Sequence, residues 1–381
     1  MPTILDVARL AQVSKSTASR VLNGFSGTPP EVRERVFAAA RALGYEPDAS
    51  ARGLVRRKTE TIGVVVAKVG DPFFAAFLRG AGDAAAEAGY SLTITSGEWA
   101  EEEVAYQRLI RQRRVDGLLF ISGPVLSPKL RQQLSRSDLP VVMVDRDEED
   151  WQLPIDRVNA DNRAAIARAV AWLKSRGHTR IAFVGGPSNV PAAQRRLEGY
   201  RQGLRDCHLP YDASLELPGD FSPQAGIAAL PRLLEVRPRP TAVIAANDLT
   251  AIGILRAAAE AGVRIPDDLS VLGVDDIDAA GWVNPPLTTL HQPCYEMGRR
   301  GVELLLSRIE EKALQTRANS RTGNPPTPEP GTPTEVLHEV LSMQLVVRES
   351  VAEIRGTHRR EDDLPSGSCA DAAGRMGGER R

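Results

Sequence analysis

The chain has 381 residues, a hydrophobic fraction of 42% and a formal net charge of −1, enough apolar material for two or three packed domains. Three widely separated cysteines, Cys207, Cys294 and Cys369, exclude a disulfide framework or a cysteine metal site. The absence of a signal segment or a bilayer-length apolar run predicts a cytoplasmic protein, on the nucleoid, with no membrane partner. Charge is uneven. Residues 1–60 carry net +4 and the remainder −5, a basic head on an acidic body, which fits phosphate contact by the head alone.

The first stretch, Thr3–Asn23, reads as two short helices. Ile4, Val7, Ala8 and Ala11 recur on one helical face, with Thr3 placed to cap the first turn and Asp6 three residues on. After Gln12 and Val13, Ser14 opens a second helix whose Ala18, Val21 and Leu22 face back toward the first. Lys15, Ser16, Ser19 and Arg20 are left together on an outward strip. A tight helical pair with a polar, basic strip is the pattern of a helix-turn-helix, whose second helix fits the major groove of DNA. Arg20 can offer a guanine edge two parallel donors. A helical hairpin with a merely solvated face is the plain alternative.

Thr28 as N-cap, Pro29 as first helical residue and Glu31 closing a capping box predict a third helix, running through Val32, Val36, Ala39, Ala40 and Leu43 to a stop at Gly44. Residues 1–46 then form a small all-α head. Residues 47–59 read as a linker that becomes helical only against something else, because it is short and Gly53 costs about 1 kcal/mol. Leu54 would sit there as an apolar side chain with no core beneath it.

From Glu60 strands and helices alternate. Strands are expected at Ile62–Val66, Ser91–Thr95, Gly117–Ile121, Val141–Val144, Ile181–Val184, Ala242–Ala245, Val271–Val274, Leu287–Leu290 and Gln344–Val347. Helices are expected at Phe73–Ala88, Glu101–Arg113, Lys129–Leu134, Arg163–Ser175, Ala193–Cys207, Gln224–Leu234, Thr250–Ala261 and Cys294–Lys312. Continuous apolar strands separated by helices predict an α/β body of two doubly wound parallel-sheet lobes, dividing near Asn159–Asn162. The body would cover 60–355: a first lobe of about 60–160 plus 291–315, and a second of about 161–290 plus 335–355. Residues 316–334, with PPTPEPGTP at their centre, read as an extended insertion, and 356–381 as an unstructured tail.

Small molecules bind beyond the carboxyl ends of such strands. Those ends lead to Asp71-Pro72-Phe73-Phe74, Asp145-Arg146, Gly186–Arg196, Asn247-Asp248 and Asp275-Asp276, with Phe221 in a loop between them. Carboxylates, an amide, an Arg and aromatic faces suit a small polyhydroxylated ligand. Each has a plainer role as turn, core or solvated face. The aspartates could also serve a sugar-processing enzyme, but the chain carries no phosphate loop, no Gly-x-Ser-x-Gly elbow and no partnered histidine. No cofactor, metal or catalytic residue is expected.

Ordered along the chain, TILDVARLAQVSKSTASRVLNG, PDASARGL, DPFF, RVDGLLF, GHTRIAFVGG, RRLEGY, RPTAVIAAND, RIPDDLSVLGVDD, LTTLHQP and LVVRES resemble the LacI/GalR repressors, over residues 3–312 and 345–350. The resemblance implies a helix-turn-helix head on a periplasmic-binding-protein-like body. By it, Lys15, Ser16 and Arg20 read bases, Thr17 and Ser19 lie near phosphate with Asn23 at the end of the same helix, and Leu54 wedges into the minor groove. It places Asp71, Phe73, Phe74, Arg146, Arg196, Phe221, Asn247, Asp248 and Asp275 around an effector cleft, with Arg196 and Asp275 grasping the ligand. It also implies a homodimer on a pseudo-palindromic double-stranded DNA operator, with a sugar or sugar derivative as effector. A nucleobase or another metabolite stays open as effector, and a transport solute-binding protein or a sugar-processing enzyme as the rival function. The insertion at 316–334 departs from the family pattern, and the lack of a leucine-heptad tail favours a dimer over a tetramer.

Overall fold

A computed structural model describes residues 2–23, 27–45, 58–67, 69–96, 104, 107–109, 114–148, 153–322 and 335–354, the side chains of 317–322 excepted. The linker with Leu54, most of the helix expected at Glu101–Arg113, the Pro-rich centre of the insertion and the tail lie outside the described residues.

The head is three helices, α1 (Ile4–Leu10), α2 (Lys15–Leu22) and α3 (Pro30–Leu43). The Asp6 carboxylate accepts from the Thr3 backbone N–H at 2.9 Å and from its hydroxyl at 2.7 Å, holding the first turn of α1. Ser14 caps α2, its Oγ accepting from the Thr17 N–H at 3.1 Å. The third helix begins one residue later than expected, at Pro30 with Pro29 as its cap. Pro30 keeps Pro29 out of helical geometry, at ψ 142°, so Thr28 is one position too early to close a box with Glu31. Val7, Ala8, Ala11, Ala18, Val21, Val36, Ala39 and Ala40 meet in the centre, a core of small side chains that lets three short helices approach closely.

The body holds two six-stranded sheets. The first contains β1 (Thr61–Val66), β2 (Ser91–Ser96), β3 (Gly117–Ile121), β4 (Val141–Val144), β5 (Asp156–Ala160) and β11 (His338–Leu341), in the order β11-β5-β4-β3-β1-β2, all parallel. The second contains β6 (Ile181–Val184), β7 (Glu216–Leu217), β8 (Ala242–Ala245), β9 (Ser270–Asp275), β10 (Thr288–His291) and β12 (Gln344–Val346), in the order β12-β10-β9-β8-β6-β7, with only β12 antiparallel. Central strands such as Gly117–Ile121 and Val141–Val144 are buried along their whole length, because helices cover both faces. These helices are α4 (Pro72–Glu87), α5 (Pro128–Ser135), α6 (Asn162–Ser175), α7 (Pro191–Asp206), α8 (Pro223–Glu235), α9 (Asp248–Glu260) and α10 (Cys294–Thr322). The two-lobed, doubly wound architecture is as expected.

Three strands escape sequence reading. β5 (DRVNA) and β11 (HEVL) mix polar with apolar residues, and β7 has two residues. β11 pairs with β5, so residues 338–341 belong to the first sheet, not to the second lobe as expected. α10 crosses back as expected and packs on α4, β3 and β4; its Gly298 and the Gly80 of α4 allow backbone-to-backbone approach. It runs to Thr322, ten residues past the predicted end and into the insertion expected from 316.

Candidate functional site: a head strip and an interlobe cleft

On α2, Lys15, Ser16 and Arg20 are exposed, while Thr17, Ser19 and Asn23 are half-buried. The hydroxyls of Ser16 and Thr17 both lie 2.8 Å from the Ser14 hydroxyl, and Asn23 Nδ2 donates to Ser19 Oγ at 3.2 Å. The polar residues are thus oriented by one another. Among the described residues, Lys15 and Arg20 have no hydrogen-bond or ion-pair partner, so a fixed helix presents two long cations outward. Leu54 lies outside the described residues.

In the body, the residues singled out at the strand ends separate into two groups. Arg196, 3% exposed on α7, lies at the centre of the first. Its Nε donates to Asn162 Oδ1 at 2.7 Å, one Nη to the Ala246 carbonyl at 2.5 Å, and the other to Gln292 Oε1 at 2.7 Å and Asp275 Oδ1 at 3.4 Å. The guanidinium lies 5.8 Å from the Phe221 ring centre, and that ring packs on Val190, Ala192 and Ala193. Asn247 caps α9 through the Thr250 N–H and donates Nδ2 to the Phe221 carbonyl, both at 3.0 Å. Arg196, Phe221, Asn247 and Asp275 are therefore brought together.

The second group is held by contacts within its own lobe. Arg146 is fully buried, with Nε on the Ser122 carbonyl at 2.6 Å and Nη1 on the Pro124 carbonyl at 2.9 Å. Asp248 accepts from Thr289 Oγ1 at 2.6 Å and from the Ile277 N–H at 2.9 Å, pinning the loop after β9 to β10. A Cβ on Gly273 would lie 2.1 Å from Asp248 Oδ1, so that position admits only glycine beside this carboxylate. Phe73 and Phe74 are buried edge-to-face, 5.1 Å apart, and Asp71 caps α4 through the Phe73 N–H at 3.0 Å.

Two residues outside the expected set, Gln292 and Asn162, complete the centre with Asp145 from the strand ends. Gln292 donates Nε2 to Asp145 Oδ1 at 3.2 Å, and Asn162 Nδ2 reaches the same oxygen at 3.4 Å. Asp145 directly follows β4 of the first sheet, while Asp275 ends β9 of the second, so Asn162, Gln292 and Arg196 join the lobes through one buried polar chain. Gln292 sits inside the LHQP motif, and Asn162 at the expected lobe boundary, which are the signals that could have marked them. Asp145 (φ 54°), Phe221 (φ 65°) and Asp275 (φ 117°) all hold positive φ, a strain that collects at functional sites.

Burial governs the electrostatics. It raises the Asp275 carboxyl well above the usual carboxylate range against the pull of Arg196, and Asp248, Asp71 and Asp145 push it the same way. Asp145 is raised by burial, opposed by Arg196 and by its bonds to Asn162 and Gln292. Asp248 is raised by burial to about 7. Arg196 thus meets Asp275 directly and acts on Asp145, among carboxyls that burial shifts toward the neutral acid, a set that offers hydroxyl groups both donors and acceptors.

A helix-turn-helix head joined to a two-lobed body with a polar interlobe centre defines a ligand-responsive DNA-binding protein by its architecture. Residues 3–48 match the bacterial regulatory proteins, lacI family, and residues 170–351 the periplasmic binding protein-like domain. The chain is 35% identical to the HTH-type transcriptional repressor PurR of Vibrio atlanticus (strain LGP32), over 83% of its own length and 95% of that protein. It is 36% identical to the ribose operon repressor of Escherichia coli (strain K12), with the same coverage of both chains. The lac repressor dimer bound to operator and the anti-inducer ONPF superposes with a TM-score of 0.77, at 26% identity, over 92% of this chain and 99% of that one. The chain belongs to the LacI family of transcriptional regulators.

Proposed function

We propose that this protein is a transcriptional repressor that binds a pseudo-palindromic DNA operator as a homodimer, with its operator affinity set by a neutral, hydroxyl-rich ligand held between the lobes. The observation that carries the ligand class is the buried Arg196 guanidinium bonded to Asp275 and Gln292, with the Phe221 ring beside it and the Asn247 amide bonded to the Phe221 carbonyl. Such a set rewards hydroxyls that donate to carboxyl and amide oxygens and accept from Arg. A sugar or sugar derivative fits, and the ribose operon repressor among the relatives is consistent with it. The protein acts where the chromosome is, in the cytoplasm, by binding rather than by catalysis.

In this reading Arg196, Asp275 and Asn247 hold ligand hydroxyls, Phe221 receives the apolar face of a ring, and Asp71 with Phe73 and Phe74 closes the cleft from the first lobe. Arg146 and Asp248 brace the strand ends from behind. Lys15, Ser16 and Arg20 address base edges, Thr17, Ser19 and Asn23 the neighbouring phosphates, and Leu54 the minor groove at the operator centre. The ligand shifts DNA affinity by its differential affinity for two lobe arrangements, typically about 1–3 kcal/mol of coupling.

Selection from a random duplex pool with the full chain, beside a truncation beginning at Thr59, tests the reading. The expected result is a two-fold-symmetric site enriched by the full chain alone. No enrichment, with or without ribose or a nucleoside added, would sink it.

A further inference from the structure

The chain passes between the lobes three times: at 160–162, from β5 to α6; at 291–294, from β10 to α10; and at 341–344, from β11 to β12. The first and third crossings leave the first sheet side by side, because β5 and β11 are paired. The Asp161 N–H donates to the Leu341 carbonyl at 2.9 Å and carries that ladder into the crossings.

Asp161 occupies the cap position of α6. The residues in that position on α4, α5, α8 and α9, which are Asp71, Ser127, Ser222 and Asn247, each accept from an N–H of their own helix, but Asp161 makes no such bond. Its carboxylate reaches the third crossing instead, with Oδ1 accepting from the Met343 N–H at 2.7 Å and Oδ2 from the Ser342 hydroxyl at 3.2 Å. Arg168, in the second turn of α6, lies 2.9 Å from Asp161 Oδ2 and donates to the Met343 carbonyl at 3.0 Å. Both backbone polar groups of Met343 are thus held from the second lobe by charge-assisted bonds, and its side chain is buried in the core. The second crossing is held in another way, through the Gln292 carboxamide to Arg196 and Asp145.

We propose that Asp161 and Arg168 are positioning residues that strap the first and third crossings into one hinge, about which the two lobes turn as rigid bodies. Hinge motion is absorbed by a few residues at the ends of elements. Two crossings tied to each other leave rotation about their common edge and resist twisting of one lobe against the other. Asn162, next in the chain, accepts from Arg196 Nε at 2.7 Å, so the strap also fixes the residue that orients the guanidinium. The consequence for ligand binding rests on the reading above, whereas the hinge rests on the crossings alone.

The spacing of the lobes in the full-length protein tests the strap. Gln132→Cys on α5 and Arg205→Cys on α7 place one exposed thiol on each lobe, Cys369→Ser removes a third, and Cys207 and Cys294 are buried. Spin labels on the pair, with labelled protein diluted into unlabelled, give the distance distribution within one chain by double electron–electron resonance. Asp161→Ser and Arg168→Ala are compared with the parent in this background. Serine caps a helix but is a shorter side chain without charge, so Asp161→Ser cuts the strap while offering α6 the cap it lacks. Both variants are expected to broaden the distribution and extend it to longer distances, and Asp161→Ser to do so without a lower urea midpoint, which a purely structural role does not produce. A distribution unchanged in both variants overturns the proposal. A fall in urea midpoint beside that unchanged distribution overturns it as well, and assigns the bonds to securing the sheet edge.

Discussion

Gln292 lies between Arg196 and Asp145, accepting from the guanidinium at 2.7 Å through Oε1 and donating to the carboxylate at 3.2 Å through Nε2. A carboxamide offers a donor and an acceptor on one planar group, so it can connect a second-lobe cation to a first-lobe anion without itself carrying charge. Gln292→Ala leaves both partners buried and under-bonded. The expected cost is about 1–3 kcal/mol of body stability, and Gln292→Glu, which adds an anion to the cluster, should cost more. Urea unfolding of the three proteins checks this order; an alanine variant as stable as wild type would refute the bridging role.

Arg20 is exposed on a capped helix and unpaired among the described residues. Arg20→Ala is expected to lose about 1–3 kcal/mol of operator affinity and to relax preference at one base pair per half-site. Selection with the variant reads this directly. An unaltered site logo would remove Arg20 from base readout.

Asp248 carries a pH signature. Its carboxyl is raised to about 7 by burial, so between about pH 4 and 7 the folded protein holds a proton that the unfolded chain has released. Its contribution to stability therefore falls as pH rises through that window and is constant above it. His178, lowered by burial, acts in the opposite sense near its ordinary range, so the comparison is made by difference. The stability gap between wild type and Asp248→Asn should shift in the variant's favour from pH 5 to 8. A gap independent of pH would mean that Asp248 is ionised throughout.

Arg195, beside Arg196 on α7, crosses the cleft rim to Asp147, with Nε 3.3 Å from both its carbonyl and its carboxylate. The neighbouring Val125 N–H donates to the Asn189 carbonyl at 2.9 Å, a second bond between the lobes. Arg195→Ala should favour lobe separation and weaken ligand binding without touching the polar centre. Small-angle scattering of the unliganded body and calorimetry with ribose would show it, and unchanged scattering and affinity would argue against a latch.

Much of this was legible from residues alone. The head is announced by Thr3, Asp6, Ser14 and the apolar positions between them, because caps and helical periodicity are local. The buried strands Gly117–Ile121, Val141–Val144, Ile181–Val184 and Ala242–Ala245 carry continuous apolar runs, and the observed bounds coincide with those expected. What eluded the sequence is relational. β5 and β11 are polar enough to read as loop, and they are strands because they complete each other's ladder across more than 170 residues. Arg146 and Asp248 follow strands just as Arg196's partners do, yet their side chains turn to carbonyls and loop N–H groups, which spacing does not reveal. Asn162 and Gln292 matter only because the lobes bring them to Arg196 and Asp145.

The pairing of β11 with β5 also bears on how the molecule is made. A chain emerging from the ribosome completes β1 through β5 early, but the outer partner of β5 and the helix covering β3 and β4 arrive only after β6 through β10 of the second lobe have been synthesised. At about 5–20 residues per second, the gap from Ala160 to Leu341 lasts roughly 10–40 s. For that time one edge of β5 stands open, and for the greater part of it, until Gly301 emerges, Leu119 and Val144 lack the helix that packs on them. The lobe begun first stays open through nearly all of the second, which makes it the part of the nascent protein with most need of a chaperone.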